Sequence, residues 1–248
     1  MNSVIRLKII DSTHKFALRL IESGTSVSEC AIVADYQTDA IGRCGRRWHS
    51  IPGNLFVSIV KELPDYADLG QLSLTTACAV RESIGSYLPS DRDLRLHWPN
   101  DIYYARSKIS GILLATLDRW LVISVGVNIN PIPSMDSAIS ITEILETSGV
   151  KLRAPTHLEI LPRVSADLEK WLSDLKNLGF FYIKDHWLRY INEINCKITI
   201  KNGRESLRGT FSGIDNLGRL ILEENGRSMF ISSGDIFANE EAIAVRYE

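Results

Sequence analysis

Hydrophobic positions recur with two different periods along this chain, and the changes of period mark most of its elements. VIRLKII, Val4 to Ile10, is a short apolar segment that stops at Asp11, Ser12 and Thr13; Phe16, Ala17, Leu20 and Ile21 then repeat at helical spacing until Gly24. This predicts a strand, an N-cap and an amphipathic helix closed by glycine. CAIVADY, Cys30 to Tyr36, reads as a strand feeding into QTDAIGRCGRRWHS, Gln37 to Ser50, which reads as a loop. Asn54 to Leu63 is the next strand, and Leu69 to Leu88 a long helix.

Four closely spaced strands follow, at Leu94 to Trp98, Asp101 to Tyr104, Lys108 to Leu117 and Trp120 to Ile129. The short turns between them, YARSK and LDRW, predict antiparallel hairpins rather than crossover helices. Pro131 to Ile139 reads as turn-rich and mobile, and Pro155 to Tyr190 as helical. The texture then changes to short alternating segments, CKITIKNG, ESLRGTFSGID, GRLILEENG and MFISSG, separated by Gly and Asn turns. They predict a small barrel of about five strands. The class is α+β with a mixed, mostly antiparallel sheet flanked by helices, and a boundary near Ile191 divides domains 1–190 and 191–248.

Composition narrows the function classes. The 248 residues are 45% hydrophobic and 23% charged, ordinary for a globular chain, and the formal net charge of -2 supplies no global field for nucleic acid or an anionic membrane. Arg6, Lys8 and Asp11 interrupt the region where a secretory signal would need its apolar core. The longest uncharged stretch, Trp120 to Met135, carries Asn128, Asn130, Pro131 and Pro133, which excludes a spanning helix. A cytoplasmic location, with no membrane and no DNA partner, is expected. The four cysteines lack a CxxC pair and the five histidines are dispersed, so no metal held directly by the protein is expected. Cys30 and Cys78 read as small core residues.

Any anion site must therefore be local, and three stretches are candidates. In the first, Gly42 and Gly45 admit close backbone approach, and Arg43 and Arg46 offer planar forks for phosphate or carboxylate oxygens. A solvated surface loop, or a nucleic-acid patch using Arg43, Arg46, Arg47 and Trp48, fits the same composition. The second is HWPND, His97 to Asp101, followed by Lys108 and Gly111 in KISGIL: Trp98 and Pro99 stiffen the chain before Asn100 and Asp101, and Lys108 lies seven residues after Asp101 across a hairpin. Singly, these residues read as turn formers and a surface lysine. The third is ISVGVNIN, where Gly126 leaves room for a ligand or marks a bulge, and Asn128 offers an amide.

Taken in this order, the stretches resemble the biotin protein ligases, in the short form without an N-terminal DNA-binding domain. The correspondence starts at DST, Asp11 to Thr13, runs through the Gly and Arg loop, WPND, K-I-x-G-I-L and G-x-N, and reaches G-x-x-x-G-I-D-x-x-G-x-L at Gly209 to Leu220. WPND followed by K-I-x-G is its most specific element. The resemblance implies a class II synthetase-like catalytic fold with a small C-terminal SH3-like β-barrel. It implies ATP-dependent activation of biotin to biotinyl-5'-AMP, with Mg2+, and transfer to a lysine of a biotin carboxyl carrier domain, by a monomer or homodimer. It assigns Ser12, Thr13, Gln37, Ile41, Gly42, Arg43, Lys108, Gly111 and Gly126 to biotin. Arg43, Arg46, Trp48, Asn100, Asp101, Lys108 and Asn128 are assigned to ATP or the adenylate, with Lys108, Arg43 and Asp101 as the catalytic groups.

Some positions depart from the family pattern. Ala40 and Ile41 occupy the first two places of the usual G-R-G-R-x-G-R, Cys44 the variable one, and His97 stands where lysine is usual. His14 follows DST in place of Asn, and Ser124 replaces the first glycine of G-x-G-x-N, where it would crowd the biotin ring. These bear on affinity and loop behaviour more than on reaction class, because Arg43, Arg46, Asp101 and Lys108 remain. DST already at Asp11 leaves no room for the winged helix of repressor relatives, so repression is not expected. The alternatives are a lipoate or octanoate ligase or transferase on the same fold, and a non-catalytic ligand binder or RNA-binding module.

Overall fold

The computed structural model describes residues 3–24, 29–133, 135, 137–202 and 205–238. Gly203 of the CKITIKNG segment, Ser134 and Asp136 of the turn-rich stretch, and residues 239–248 of the expected second domain lie outside them. The main layer is a seven-stranded sheet built from β1 (Val4–Ile10), β2 (Cys30–Gln37), β3 (Leu55–Glu62), β4 (Leu94–His97), β5 (Asp101–Tyr104), β6 (Ser107–Leu117) and β7 (Trp120–Val127). Their order is β1-β2-β3-β7-β6-β5-β4. Only the β1–β2 pair is parallel, and the predicted hairpins β4–β5, β5–β6 and β6–β7 are all present.

Period-2 alternation gives each strand two faces, and the faces meet different partners. On β7, Leu121, Ile123, Val125 and Val127 join the large core under α2 (Leu69–Gly85), α4 (His157–Leu178) and α5 (Phe180–Leu188). Trp120 and Val122 point the other way, into a smaller cluster with Ala17 and Ile21 of α1 (Thr13–Glu22) and Cys30, Ile32 and Val60. Ser124 and Gly126 continue that second face beyond α1. There the apolar pattern gives way to a hydroxyl and a missing side chain, and a ligand can enter.

Two helical readings needed revision. The 155–190 pattern is two helices, because Gly179, at φ 78°, turns the chain between α4 and α5. α3 (Ile141–Ser148) was not anticipated; Ser140 caps it in a reciprocal box with Glu143, and Gly149 closes it in the left-handed region. The stretch expected to be mobile is tied down where it is described: Lys108 N donates to Ser137 O at 2.9 Å and Ile139 N to Lys108 O at 3.0 Å.

The C-terminal segments form a five-stranded antiparallel sheet of β8 (Lys197–Asn202), β9 (Glu205–Ile214), β10 (Leu220–Glu224), β11 (Arg227–Ile231) and β12 (Asp235–Ala238), ordered β11-β10-β9-β8-β12. Among the described residues it is an open SH3-like sheet with β11 and β12 at its edges, which corrects the closed barrel. Its core, including Phe211, Leu220 and Leu222, is continuous with the large core of the first sheet and its helices. α2 and the second sheet meet backbone on backbone: a Cβ on Gly70 would stand 2.3 Å from Leu217 O, and one on Gly218 2.5 Å from the Gly70 carbonyl carbon. Beside it, the buried Trp98 donates its Nε1–H to Gly218 O at 3.1 Å, so WPND is anchored to the second sheet. No helix of the described residues is long and apolar enough to cross a membrane.

Candidate active site

A cavity of about 270 Å³ opens where α1 ends over the sheet. Its walls come from the N-terminus of α1 (Ser12, Thr13, His14), the end of β2 (Gln37), the 38–54 loop, and the exposed face of β3, β6 and β7. Ser12 caps α1, its Oγ accepting from Lys15 N, so the positive end of the helix dipole faces the cavity. The loop is folded: Gly42 N donates to Arg46 O at 2.7 Å, Trp48 N to Ala40 O at 3.0 Å, and Arg43–Gly45 makes one 3-10 turn. Cys44 at its tip, φ 55°, is exposed.

The loop delivers Trp48 onto the sheet. Gly111 of β6 and Gly126 of β7 are register partners, and the indole fills the space their missing side chains leave. A Cβ on Gly126 would be 2.8 Å from two indole carbons, and one on Gly111 2.9 Å from a third. Trp48 therefore faces inward, which removes it from the outward-facing RNA platform weighed above. Lys108 Nζ lies 5.4 Å from the indole centroid and 2.6 Å from Asp101 Oδ2. Arg43 Nη1 donates to Asn100 Oδ1 at 2.9 Å, and Arg46 pairs with Asp235 of β12, which brings the second sheet to the rim. Among the described residues neither Arg43 nor Arg47 pairs with a carboxylate, so the cavity keeps uncompensated positive charge.

Asn128 works partly for the scaffold, since its Nδ2 donates to Lys108 O at 3.1 Å and Ile139 O at 3.2 Å. Among the described residues, three polar atoms of this cavity are buried without a hydrogen-bond partner: Trp48 Nε1, Asp101 Oδ1 and Asn128 Oδ1. Buried orphans are rare in folded proteins, and three converging on one cavity mark the place of a polar ligand.

At the inner end the side chains bond one another. Gln37 Oε1 accepts from Thr13 N at 2.8 Å and Thr13 Oγ1 at 3.2 Å; Ser58 Oγ donates to Thr13 Oγ1 at 2.9 Å, and Ser124 Oγ lies 2.8 Å from both Ser58 Oγ and His14 Nδ1. Burial pushes the His14 pKa down to about 4, so the ring is neutral at pH 7. Behind the cavity the half-buried His97 bonds Glu193 Oε1 at 2.7 Å; its partial burial disfavours the cation, but that bond and the nearby carboxylates outweigh it and raise its pKa. Burial, with Asp101, Glu193 and Asp235 nearby, pushes Tyr103 up to about 12.

Residues 7–130 match the model of the biotin/lipoate A/B protein ligase family, and residues 194–238 that of the biotin protein ligase C terminal domain. The chain belongs to this ligase family. It is 31% identical over 233 residues to the bifunctional ligase/repressor BirA of Escherichia coli, covering 90% of this chain and 70% of that protein. It is 28% identical over 233 residues to the biotin--[acetyl-CoA-carboxylase] ligase of Mycobacterium tuberculosis, covering 91% and 85%. A structure of the Aquifex aeolicus biotin protein ligase in complex with biotin and ATP superposes with a TM-score of 0.81 at 27% identity, covering 96% of this chain and 99% of that one.

In this ligase-family chain every residue assigned a role from sequence lines the one cavity: Ser12, Thr13, Gln37, Ile41, Gly42, Arg43, Arg46, Trp48, Asn100, Asp101, Lys108, Gly111, Gly126 and Asn128. Four contributors were missed as site residues. Ser58 is a lone hydroxyl on the face of β3 that also carries Val60, a signal that inspection of the alternation would find. His14 and Ser124 were noted only as departures. Asp235 reaches the rim from a second sheet, and nothing in its local sequence announces that.

Proposed function

We propose that this chain activates biotin with ATP to biotinyl-5'-AMP and transfers the biotinyl group to a lysine of a biotin carboxyl carrier domain. The observation that carries the reading is the division of the cavity into two chemically distinct ends joined by Lys108. The inner end offers Thr13, Ser124 and the Gln37 amide for a polar ring; the outer end offers an indole on bare sheet, the Arg43 and Arg47 guanidinium groups without a carboxylate partner among the described residues, and buried orphan atoms for a nucleotide. In this assignment residues 1–190 hold biotin and ATP, and 191–248 supply Asp235 and a backing for WPND.

In the first step a biotin carboxylate oxygen attacks the α-phosphorus, the bond to the bridging oxygen of the β-phosphate breaks, and pyrophosphate leaves. Two anions must meet, so Lys108, Arg43 and Arg46 lower the repulsion and stabilise charge on the transferring group, while Trp48 stacks the adenine. Mg2+ would arrive with the nucleotide, held by its phosphates, and would offset the charge of the pyrophosphate. No group of three or more His, Cys, Asp or Glu side chains among the described residues forms a site of its own.

In the second step a neutral lysine amine attacks the acyl carbon, the acyl–phosphate bond breaks, AMP leaves and the amine loses a proton. Lys108 already occupies Asp101 Oδ2, so Oδ1 is the oxygen that orients or deprotonates the amine. The 38–54 loop covers the adenylate against water. Biotin-dependent exchange of labelled pyrophosphate into ATP tests the first step: biotin supports exchange, whereas equal exchange with lipoate or octanoate would favour the other acyl ligases of this fold.

A further inference from the structure

The hydroxyl network at the inner end has a direction, and two of its members are departures from the family pattern. A hydroxyl donates only one proton. Gln37 Oε1 accepts from both the amide and the hydroxyl of Thr13, so the Thr13 proton is committed to Gln37. Thr13 Oγ1 must then accept from Ser58, whose proton is thereby committed, and Ser58 Oγ must accept from Ser124. Ser124 has no proton left for His14, so at their 2.8 Å contact the imidazole donates. The neutral ring is thus fixed as the Nδ1–H tautomer, and every proton points from His14 toward Gln37. Ser58 is fully buried, so Thr13 and Ser124 are the hydroxyls of this network that line the cavity, and both present lone pairs alone. Gln37 keeps its Nε2 as the donor end.

Reversing any member would leave a buried acceptor facing an acceptor, which low surrounding polarity makes costly. With Gly in place of Ser124 the network would end at Ser58, with neither this hydroxyl nor the imidazole bond that orients it.

We propose that His14 is a positioning residue which, through Ser124, fixes the inner wall as a hydrogen-bond acceptor, making Ser124 a specificity determinant for rings that carry N–H donors. The preferred ligand class is a cyclic urea or similar ring with N–H and C=O groups; a ring without N–H donors leaves the Ser124 and Thr13 acceptors unpaired. This rests on the reading that the cavity takes biotin.

The test is equilibrium binding of biotin and of an N-methylated biotin by calorimetry, without ATP, on the wild type and on Ser124→Ala, His14→Leu and His14→Asn, with thermal melts to verify folding. Asn places an amide donor near the position of imidazole Nδ1. The expected result is that Ser124→Ala and His14→Leu each weaken biotin about ten-fold, the scale of one net hydrogen bond. Both lower the preference for biotin over its N-methylated analogue, His14→Asn restores it, and the Ser124→Ala/His14→Leu double variant is no worse than either single. In steady state the loss falls on KM for biotin, with kcat and KM for ATP unchanged. Equal losses for Leu and Asn at position 14, or an unchanged preference in Ser124→Ala, would overturn the proposal and leave the ligase reading intact. Failure of the wild type to bind biotin would overturn both.

Discussion

Gly126→Ala isolates the seat of Trp48 with one methyl group. The new Cβ would stand 2.8 Å from indole Cε2 and Cζ2 and 3.0 Å from Nε1, whereas ordinary contact begins at 3.4 Å, so the ring must retreat by roughly 0.6 Å or more. β7 cannot yield instead, because it is paired along its length to β3 and β6 and its opposite face is core. Overpacking costs about 1–3 kcal/mol. Here the loop takes the displacement, so the loss is expected as a rise in KM for ATP of roughly five- to thirty-fold, the equivalent of about 1–2 kcal/mol, with a near-unchanged melting temperature. Pyrophosphate exchange at varied ATP measures it. In a Trp48→Ala background the methyl meets no ring, so Gly126→Ala should add less than about 0.5 kcal/mol. A full effect persisting without the indole would refute the argument and place the damage in the sheet.

Three further outcomes follow from the same geometry. Lys108→Met, which removes the ammonium between the two ends of the cavity, should slow adenylate formation on the order of 100-fold or more in single turnover while biotin still binds. Arg43→Gly, which deletes a guanidinium held by Asn100, should speed loss of the adenylate and broaden biotin transfer to other amines; an unchanged intermediate off-rate would contradict its role. Because folding lowers the His14 pKa from 6.5 to about 4, the unfolded chain binds the extra proton between those values. That contribution is fully present above pH 6.5, is lost as pH falls toward 4, and amounts to about 3 kcal/mol at its end. Urea unfolding should show a shallower loss over that window in His14→Asn than in the wild type.

Much of this was legible because the cavity is lined by compact motifs. WPND, the Gly and Arg loop and the β7 Gly announce themselves where local chemistry departs from period-2 alternation, and those departures are the cavity wall. α3 was also readable, since Ser140, Glu143 and Gly149 spell its start and stop, but a capped helix of eight residues, little more than two turns, lacks the long apolar period that helices usually show. Gly179 was visible too, yet whether a glycine bends or ends a helix depends on the packing around it. The open edge of the second sheet and the Arg46–Asp235 contact depend on long-range pairing between segments with no local mark. The direction of the His14 network required distances, because side-chain protons are assigned only once every donor and acceptor is placed together.

The central claim rests most directly on single-turnover formation of biotinyl-5'-AMP from biotin and magnesium ATP, followed by addition of an apo carrier domain and measurement of its intact mass. The account predicts one adenylate per site and a carrier mass increase of one biotinyl group at a single lysine. Tight biotin binding with no adenylate, despite Lys108, Arg43 and Arg46 around the cavity, would contradict it.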